Sequence, residues 1–387
     1  MKIFSYSKQT ISTEDIKSVT KILKSNFLTQ GPTIEKFENK IKKFVKSKYA
    51  VAVNSATSGL HLSCLSLGLK KNDYLWTVPN SFVASSNCAL YCGAKVDFVD
   101  INSKTWNIDE ALLEKKLLKT PKKKLPKILV AVHYAGEPVN LKKIYILSKK
   151  FNFKIIEDAS HALGSKFQND KIGNCKFSSA TVFSFHPVKP ITTGEGGMIT
   201  TNNFQINKKL KSLRSHGIEK INLKNKKDSR LWYYEQTDLG FNYRMNDIEA
   251  SLGISQIKNI DYFLKKRNDL ATRYKKKLLS LPLKFQKTDP KNYSSYHLFI
   301  IYLLKKNHIK NYNKIFNFLR NNKIFVQKHY ILIYTHPFYR KLFRKLYLEN
   351  SENFSNSVIS LPLYPSLRLN EQDFIIKKLF EILKKIK

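Results

Sequence analysis

The sequence predicts an α/β protein with a large, mostly parallel sheet covered by helices and a smaller C-terminal α+β domain. From residue 49 to about 158, short runs rich in Val and Ile alternate with helical patterns, which is typical of parallel strands buried on both faces. After about residue 255 the pattern changes to long Lys-rich helical stretches. The chain has 387 residues, 42% of them hydrophobic, enough for one large core and a second domain. We place the boundary near residue 255, which divides 1–255, with an N-terminal arm, from 256–387.

Two amphipathic helices are predicted before the first strand. Residues 13–25 (TEDIKSVTKILKS) have apolar side chains at helical spacing after a Thr/Glu start. A turn at Gly31-Pro32 separates this helix from a second one, in which apolar residues recur with the same period.

The alternating region and the C-terminal part supply the remaining elements. The predicted strands of the large sheet are YAVAVNS, DYLWTVP, KVDFVDI, KILVAVHY and FKIIED, and the helices between them include TSGLHLSCLSLGL and residues 83–91. Further along, we predict a helix in DYFLKKRNDLATRYKKKLLSL, a strand in YHLFIIYLL, a helix in IFNFLRNN, a strand in KIFVQKHY and a terminal helix. Residues 220–230 are predicted to form a polar loop.

Composition narrows the class of protein. The 69 Lys and Arg residues against 29 Asp and Glu residues give a net charge of +40. The basic residues are mostly lysines in short runs along the whole chain, which indicates a lysine-biased surface rather than a nucleic-acid-binding face. Four cysteines without paired spacing suggest neither disulfides nor a metal site. No apolar run is long enough to cross a membrane and no secretory h-region is visible, so we expect a cytoplasmic protein.

The segment from Phe183 to Gly197, FSFHPVKPITTGEGG, is the most informative in the chain. It places Lys189 between a strand end and a Gly-rich turn with one acid, Glu195, and Asp158 ends an apolar run upstream. Pyridoxal phosphate (PLP) chemistry requires such a pair, because a lysine holds the cofactor aldehyde as an imine and a carboxylate keeps the pyridine nitrogen protonated. The sequence therefore predicts a PLP enzyme, although Lys189 alone could also be an ordinary ion-pair partner.

Other polar positions have a functional and a structural interpretation. The stretch 54–59 (NSATSG) suits a phosphate at a helix N-terminus or an ordinary N-cap. His161 could support the cofactor or belong to a capped turn, and His186 could line the site or be structural. Phe82 could stack on the pyridine ring or lie in the core. Asn242, in a loop before a helix, could contact an anion across a subunit boundary or simply precede a cap.

The segments NSATSGLH, IEDASHALGS, FSFHPVKPITTGEGGMITT, RSHGI and LGFNYRMNDIEASLG resemble the DegT/StrS family of sugar-nucleotide aminotransferases. The resemblance extends from Phe4 to about Pro365 and implies the fold-type I PLP-dependent transferase fold, whose large domain has a seven-stranded type of sheet. It implies that Lys189 carries the cofactor and is the catalytic residue. It also implies a cytoplasmic homodimer with a shared active site.

The resemblance assigns further roles position by position. The implied cofactor-binding residues are Ala56, Thr57, Ser58, Phe82, Asp158, His161, Ser184, Lys189 and, from the other subunit, Asn242. The implied substrate-binding residues are Tyr6, Asn26, Phe27, Leu28, Thr29, Ala56, His186, Lys328, His329 and Tyr330. Two departures stand out: Lys328 replaces a usually apolar residue, and Ser160 replaces a commoner alanine.

The implied reaction moves the amino group of L-glutamate to the 4-keto position of a UDP-4-keto-6-deoxy-N-acetylhexosamine. FSYS, NFLTQGP, HPVKPITTGEGG and VQKHYILIY resemble the branch of the family that serves pseudaminic acid biosynthesis. The alternative within the family is a 4-aminotransferase of the bacillosamine or legionaminic acid type, acting on a differently configured UDP- or GDP-4-keto sugar. PLP dehydratases of this fold carry His at the lysine position, which Lys189 argues against. A basic DNA-binding regulator would need an Arg-rich recognition helix, and none is evident.

Overall fold

A computed structural model describes residues 3–219, 232–343 and 345–386. The predicted polar loop at 220–230 lies outside these residues.

The strands, in chain order, are β1 (Phe4–Ser5), β2 (Tyr49–Val53), β3 (Tyr74–Thr77), β4 (Lys95–Phe98), β5 (Ile128–Val132), β6 (Lys154–Asp158), β7 (Lys166–Phe167), β8 (Asp170–Lys171), β9 (Ala180–Ser184), β10 (Gly197–Thr201), β11 (Ile218–Glu219), β12 (Glu235–Gln236), β13 (Leu283–Phe285), β14 (Phe299–Leu303), β15 (Ile324–Phe325) and β16 (Val358–Leu361). The helices are α1 (Thr13–Leu23), α2 (Pro32–Val45), α3 (Ala56–Ser66), α4 (Ala84–Tyr91), α5 (Glu110–Lys119), α6 (Leu141–Phe151), α7 (Phe204–Arg214), α8 (Asp247–Gln256), α9 (Ile260–Lys277), α10 (Lys306–Lys310), α11 (Tyr312–Asn321), α12 (Pro337–Arg340), α13 (Glu349–Ser357) and α14 (Leu369–Lys385).

The central sheet has seven strands in the order β2-β10-β9-β6-β5-β3-β4. β10 runs antiparallel to both of its neighbours, and the remaining pairs are parallel. Every residue of β5, β9 and β10 is buried, as expected of strands covered by helices on both faces. The predicted fold class, a mostly parallel sheet covered by helices, is confirmed.

The two N-terminal helices form where the sequence predicts them. Ser12 caps α1 by accepting from the Asp15 amide, and the Asp15 carboxylate accepts from the Ser12 amide at 2.8 Å, so both hydrogen bonds of a capping box are present. Pro32 occupies the first turn of α2, where its missing N–H costs nothing. The Gly31 amide donates to the buried Asp247 carboxylate of α8 at 2.8 Å, which ties the turn between the two N-terminal helices to α8.

The predicted strand KIFVQKHY is shorter than expected. Only Ile324 and Phe325 form β15, which pairs in parallel with β1, and Gln327 makes an isolated bridge to Ser360. The chain beyond this point leaves the sheet and runs along the wall of a cavity. The apolar pattern of this segment predicts burial correctly, but its side chains are buried by tertiary contacts and not by pairing with a neighbouring strand.

Buried apolar side chains form two clusters. The larger surrounds the seven-stranded sheet. The smaller packs α9, α11 and α14 against the antiparallel sheet β13-β14-β16 and also includes Phe4 from β1. The boundary near residue 255 stays a prediction; in the N-terminal arm, Phe4 belongs to the smaller cluster, whereas Tyr6 packs against the larger one.

Candidate active site

A cavity of about 560 Å³ opens at the carboxyl ends of β5, β6 and β9. In a sheet of this kind ligands bind at that edge, because the loops that leave the strands there can be shaped without disturbing the core. Its walls come from the start of α3, the segment before α4, the β9–β10 connection, the chain after β15 and the N-terminal arm. Among its apolar lining residues, Leu60, Ala84 and Val132 belong to the larger hydrophobic cluster.

Most of the residues predicted for the site line this cavity. They are Tyr6, Ala56, Thr57, Phe82, Asp158, His161, Ser184, His186, Lys189, Lys328, His329 and Tyr330. The remaining predicted residues do not. Residues 26–29 and Asn242 are exposed away from it, and the Ser58 hydroxyl donates to the side-chain oxygen of Asn54 at 2.6 Å.

Lys189 lies in the connection between β9 and β10, where its amide donates to the His186 carbonyl at 2.9 Å. Burial lowers the pKa of its amine from the ordinary value of 10.5 to about 8, and the nearby Asp158 carboxylate partly opposes this shift. Among the residues that the structure describes, its Nζ forms no hydrogen bond and no ion pair. A partly buried amine without a partner is suited to a covalent or proton-transfer role.

Asp158, the last residue of β6, is held by two donors. The Ser85 hydroxyl donates to Oδ2 at 2.6 Å, and the Ser160 amide donates to Oδ1 at 3.1 Å. A carboxylate offers about four acceptor positions, so capacity remains for a donor in the cavity. The position is therefore compatible with a protonated ring nitrogen.

His161 is held in one neutral form. The Ala135 amide donates to Nδ1 at 3.2 Å, so the ring proton must reside on Nε2, which lies 3.0 Å from the Tyr330 hydroxyl oxygen. Burial lowers the pKa of His161 well below its ordinary value, and the positive charge of Lys189 lowers it further. The imidazole therefore donates to Tyr330, which leaves the tyrosine hydroxyl hydrogen available to the cavity.

The start of α3 has the features of an anion site. Ser55 caps the helix by accepting from the Ser58 amide at 3.1 Å. The amides of Ala56 and Thr57, the first two of the helix, have no intrahelical acceptor and lie at the positive end of its dipole. A Cβ on Gly197 would come within 2.7 Å of the Ala56 nitrogen, so only glycine lets β10 approach this turn so closely. A small anion such as a phosphate fits these donors.

Another wall comes from the N-terminal arm and the chain after β15. The rings of Tyr6 and His329 lie 4.8 Å apart, and His329 Nδ1 lies 2.8 Å from the Ser360 hydroxyl. Burial lowers the pKa of His329 to about 3, so this histidine is neutral. Burial also lowers the pKa of Lys328, whose Nζ lies 4.9 Å from the centre of the Tyr312 ring.

Sequence reasoning missed Ser81, Ser85 and Gln327. Ser81 and Gln327 line the cavity, and Ser85 contacts Asp158 behind it. The available signal was the spacing of Ser81 and Ser85, four residues apart at the predicted start of a helix. Serines are common at such positions as caps, so this spacing alone does not indicate a site.

Within residues 3–219, 232–343 and 345–386, no group of three or more His, Cys, Asp or Glu side chains is arranged to hold a metal ion. The same residues contain no helix with both the length and the apolarity that crossing a membrane requires.

The profile of the DegT/DnrJ/EryC1/StrS aminotransferase family matches residues 9–380. The chain belongs to this family. A curated relative from Campylobacter jejuni, UDP-4-amino-4,6-dideoxy-N-acetyl-β-L-altrosamine transaminase, is 40% identical over 387 residues, which covers 100% of this chain and 99% of the relative. The relative of the same name from Helicobacter pylori is 36% identical, with 99% of this chain and 100% of that protein covered.

Solved structures of aminotransferases are similar to this chain over its whole length. The Helicobacter pylori aminotransferase PseC, involved in the biosynthesis of pseudaminic acid, has a TM-score of 0.91 and 34% identity, with 99% of this chain and 100% of that chain covered. A putative sugar aminotransferase from Streptococcus pneumoniae, solved in its PMP form, has a TM-score of 0.90 and 26% identity, with 100% of both chains covered. The fold-type I aminotransferase architecture and the resemblance inferred from the sequence are confirmed.

Proposed function

We propose that this protein is a PLP-dependent aminotransferase that moves the amino group of L-glutamate to the 4-keto position of a UDP-4-keto-6-deoxy-N-acetylhexosamine. The product is UDP-4-amino-4,6-dideoxy-N-acetyl-β-L-altrosamine, an intermediate of pseudaminic acid biosynthesis. One observation carries the proposal: Lys189 and Asp158 face one cavity in a chain of an aminotransferase family. The full-length identity to transaminases named for this product supports the choice of sugar.

The residues present fit PLP. The amides of Ala56 and Thr57 and the hydroxyl of Ser184 would hold its phosphate, because free donors at a helix N-terminus favour an anion. Phe82 would cover the face of the ring and Asp158 would accept from its nitrogen. PLP, when bound, supplies an electron sink that stabilises the negative charge left when a proton leaves the carbon next to the amino nitrogen.

Lys189 is the residue that holds and moves the proton. With a pKa of about 8, its Nζ is present in both the charged and the neutral form near neutral pH, as an acid–base group requires. The amine approaches from one wall of the cavity, so it takes the proton from glutamate and delivers a proton to the sugar from the same side. This one-sided delivery would determine the configuration of the new amino-bearing carbon.

The wall formed by Tyr6 and residues 328–330 is where we place the nucleotide sugar. Its residues come from other elements than the start of α3, so phosphate and sugar would occupy different parts of the cavity. Lys328 adds a positive charge at a position where the resemblance to the family implies an apolar residue, and the net charge of +40 favours the approach of an anionic substrate. Because His161 and His329 are neutral, the positive charge near this wall comes from Lys328.

We infer that the active form is a homodimer that works in the cytoplasm. Residues 26–29 and Asn242 are exposed in one subunit, and among them the side chains of Phe27 and Leu28 are 53% and 47% exposed. Apolar side chains at such exposure, near positions expected to bind substrate, support their use at a subunit boundary. All four cysteines are unpaired, which supports a reducing compartment.

The test is to purify the protein with PLP, record its absorbance, add L-glutamate and then the UDP-4-keto sugar, with Lys189→Ala alongside. We expect a yellow protein that loses its colour with glutamate and regains it with the sugar, while the variant does neither. NMR of the product then distinguishes the altrosamine configuration from that of a bacillosamine- or legionaminic-type sugar. A protein that takes up no PLP would refute the proposal.

A further inference from the structure

Two buried serines link the segment that carries Phe82 to the carboxylate of Asp158. Ser81 directly precedes Phe82, and Ser85 lies in the first turn of α4. The Ser85 hydroxyl donates to Asp158 Oδ2 at 2.6 Å, and the hydroxyl oxygens of Ser81 and Ser85 lie 2.7 Å apart. Ser81 is 4% exposed and Ser85 is fully buried, so bulk water does not compete for these hydrogen bonds.

The direction of these two hydrogen bonds follows from the single hydrogen that each serine hydroxyl can donate. A serine hydroxyl has one hydrogen and two acceptor positions. Because Ser85 gives its hydrogen to the carboxylate, it can only accept from Ser81. The order is therefore Ser81 to Ser85 to Asp158. Each donor polarises the next, and the last hydrogen bond reaches an ionised group, which makes it one of the stronger kinds in proteins.

We propose that Ser81 and Ser85 are positioning residues that hold Asp158 and the Phe82 segment in one fixed relation to the cofactor ring. This inference rests on the proposed function. Ser85 on Oδ2 and the Ser160 amide on Oδ1 fix the rotation of the carboxylate about its last torsion angle, which is otherwise soft. Ser81 belongs to the same turn as Phe82, so the group that meets the ring face and the group that meets the ring nitrogen are held by one chain of hydrogen bonds.

The first test measures the PLP dissociation constant of the cofactor-free protein together with kcat and KM for L-glutamate. In Ser85→Ala we expect the dissociation constant to rise roughly tenfold or more, the scale of one lost charge-assisted hydrogen bond. We expect kcat to fall while KM for L-glutamate stays unchanged, because the serine does not touch the amino acid. Ser85→Cys, with similar volume and a weaker donor, is expected to give intermediate values.

Ser86→Ala is the matched control. Ser86 is the next residue of α4, is equally buried and bonds the Tyr339 hydroxyl at 2.7 Å, away from Asp158. We expect its PLP dissociation constant to equal that of the wild type. An equal loss in Ser86→Ala would show a general defect of α4 and overturn the proposal, as would a Ser85→Ala protein with wild-type affinity and kcat.

A second test uses Ser81→Ala and the double variant. Because Ser81 acts through Ser85, we expect a smaller loss of PLP affinity from Ser81→Ala, and a double variant no weaker than Ser85→Ala alone. Additive losses of PLP affinity in the double variant would contradict a single chain of hydrogen bonds. If Ser85→Ala fails to fold, Ser85→Cys and Ser81→Ala still decide the question. The wild type run alongside separates this inference from the proposed function, since a wild type that binds no PLP refutes the function itself.

Discussion

The titration of Lys189 depends on Asp158, and replacing that carboxylate tests the electrostatics of the site directly. Burial lowers the pKa of Lys189 to about 8, while the negative charge of Asp158 raises it. Asp158→Asn keeps the shape of the side chain and removes the charge. The desolvation that disfavours the ammonium is then less opposed, so the pKa of Lys189 is expected to fall below that of the wild type.

The size of the effect can be worked out from the fraction of neutral amine. At pH 7 an amine with a pKa of about 8 is roughly 10% neutral, whereas a lysine at its ordinary value of 10.5 is roughly 0.03% neutral. The site therefore raises the reactive fraction about 300-fold before any cofactor binds. If Asp158→Asn lowers the pKa of Lys189 by one further unit, the pH at which half of the amine is neutral falls by one unit.

The assay is the rate at which cofactor-free protein captures PLP, measured by absorbance across a series of pH values. Only the neutral amine attacks the aldehyde, so the rate should rise with pH and reach half its plateau near pH 8 in the wild type. Asp158→Asn should reach half its plateau at a lower pH, whatever its absolute rate. Glu195→Gln is the control, because Glu195 also lines the cavity but is not among the causes of the Lys189 shift. A wild-type midpoint near 10, or an Asp158→Asn midpoint that is unchanged or higher, would refute this account.

Two substitutions test the geometry of the predicted cofactor contacts. Gly197→Ala should lower the unfolding temperature by several degrees and weaken PLP binding by more than tenfold, because the added Cβ meets backbone at the start of α3 at 2.6 Å. Gly68→Ala is its control: a Cβ there finds only Lys127 Nζ at 4.0 Å, but the φ of +75° disfavours a side chain, so this variant should lose stability and keep wild-type PLP binding. Equal effects of the two variants on PLP binding would contradict the explanation. Phe82→Ala should weaken PLP binding by roughly tenfold, the scale of a lost aromatic stack, and change the free energy of unfolding by less than about 1 kcal/mol, since the ring is 59% exposed. Phe204→Ala removes a ring of 58% exposure elsewhere on the surface and should leave PLP binding unchanged; if both variants bind PLP equally, Phe82 has no stacking role.

The sequence predicted the fold because the large sheet leaves a strong local pattern. Strands such as Ile128–Val132 and Lys154–Asp158 are short apolar runs between helices, and burial on both faces makes that pattern visible without any tertiary information. The antiparallel direction of β10 leaves no such pattern, because strand orientation depends on the connection and not on the residues of the strand.

The predictable part of the site is the part carried by unusual residues in short segments. Lys189 and Asp158 lie in motifs that are rare outside this chemistry, and both face the cavity. Ser81 and Ser85 could not be recognised, because their importance arises from a contact with a residue far along the chain. The roles predicted for residues 26–29 and Asn242 stay predictions, since one subunit leaves them exposed.

The pairing of β1 with β15 has a consequence for the order in which the ribosome delivers the protein. Phe4 is among the first residues to emerge, yet its ladder partner is Ile324. Tyr6, which lines the cavity, accepts from the Leu363 amide at 2.9 Å, and the Ser7 hydroxyl donates to the Val188 carbonyl beside Lys189 at 2.9 Å. During vectorial synthesis the large sheet can assemble from contacts within the emerged chain, but this wall must wait for the C-terminal residues. A nascent chain stalled before residue 324 would therefore carry the lysine and the acid in an open cleft without the wall that we assign to the nucleotide sugar.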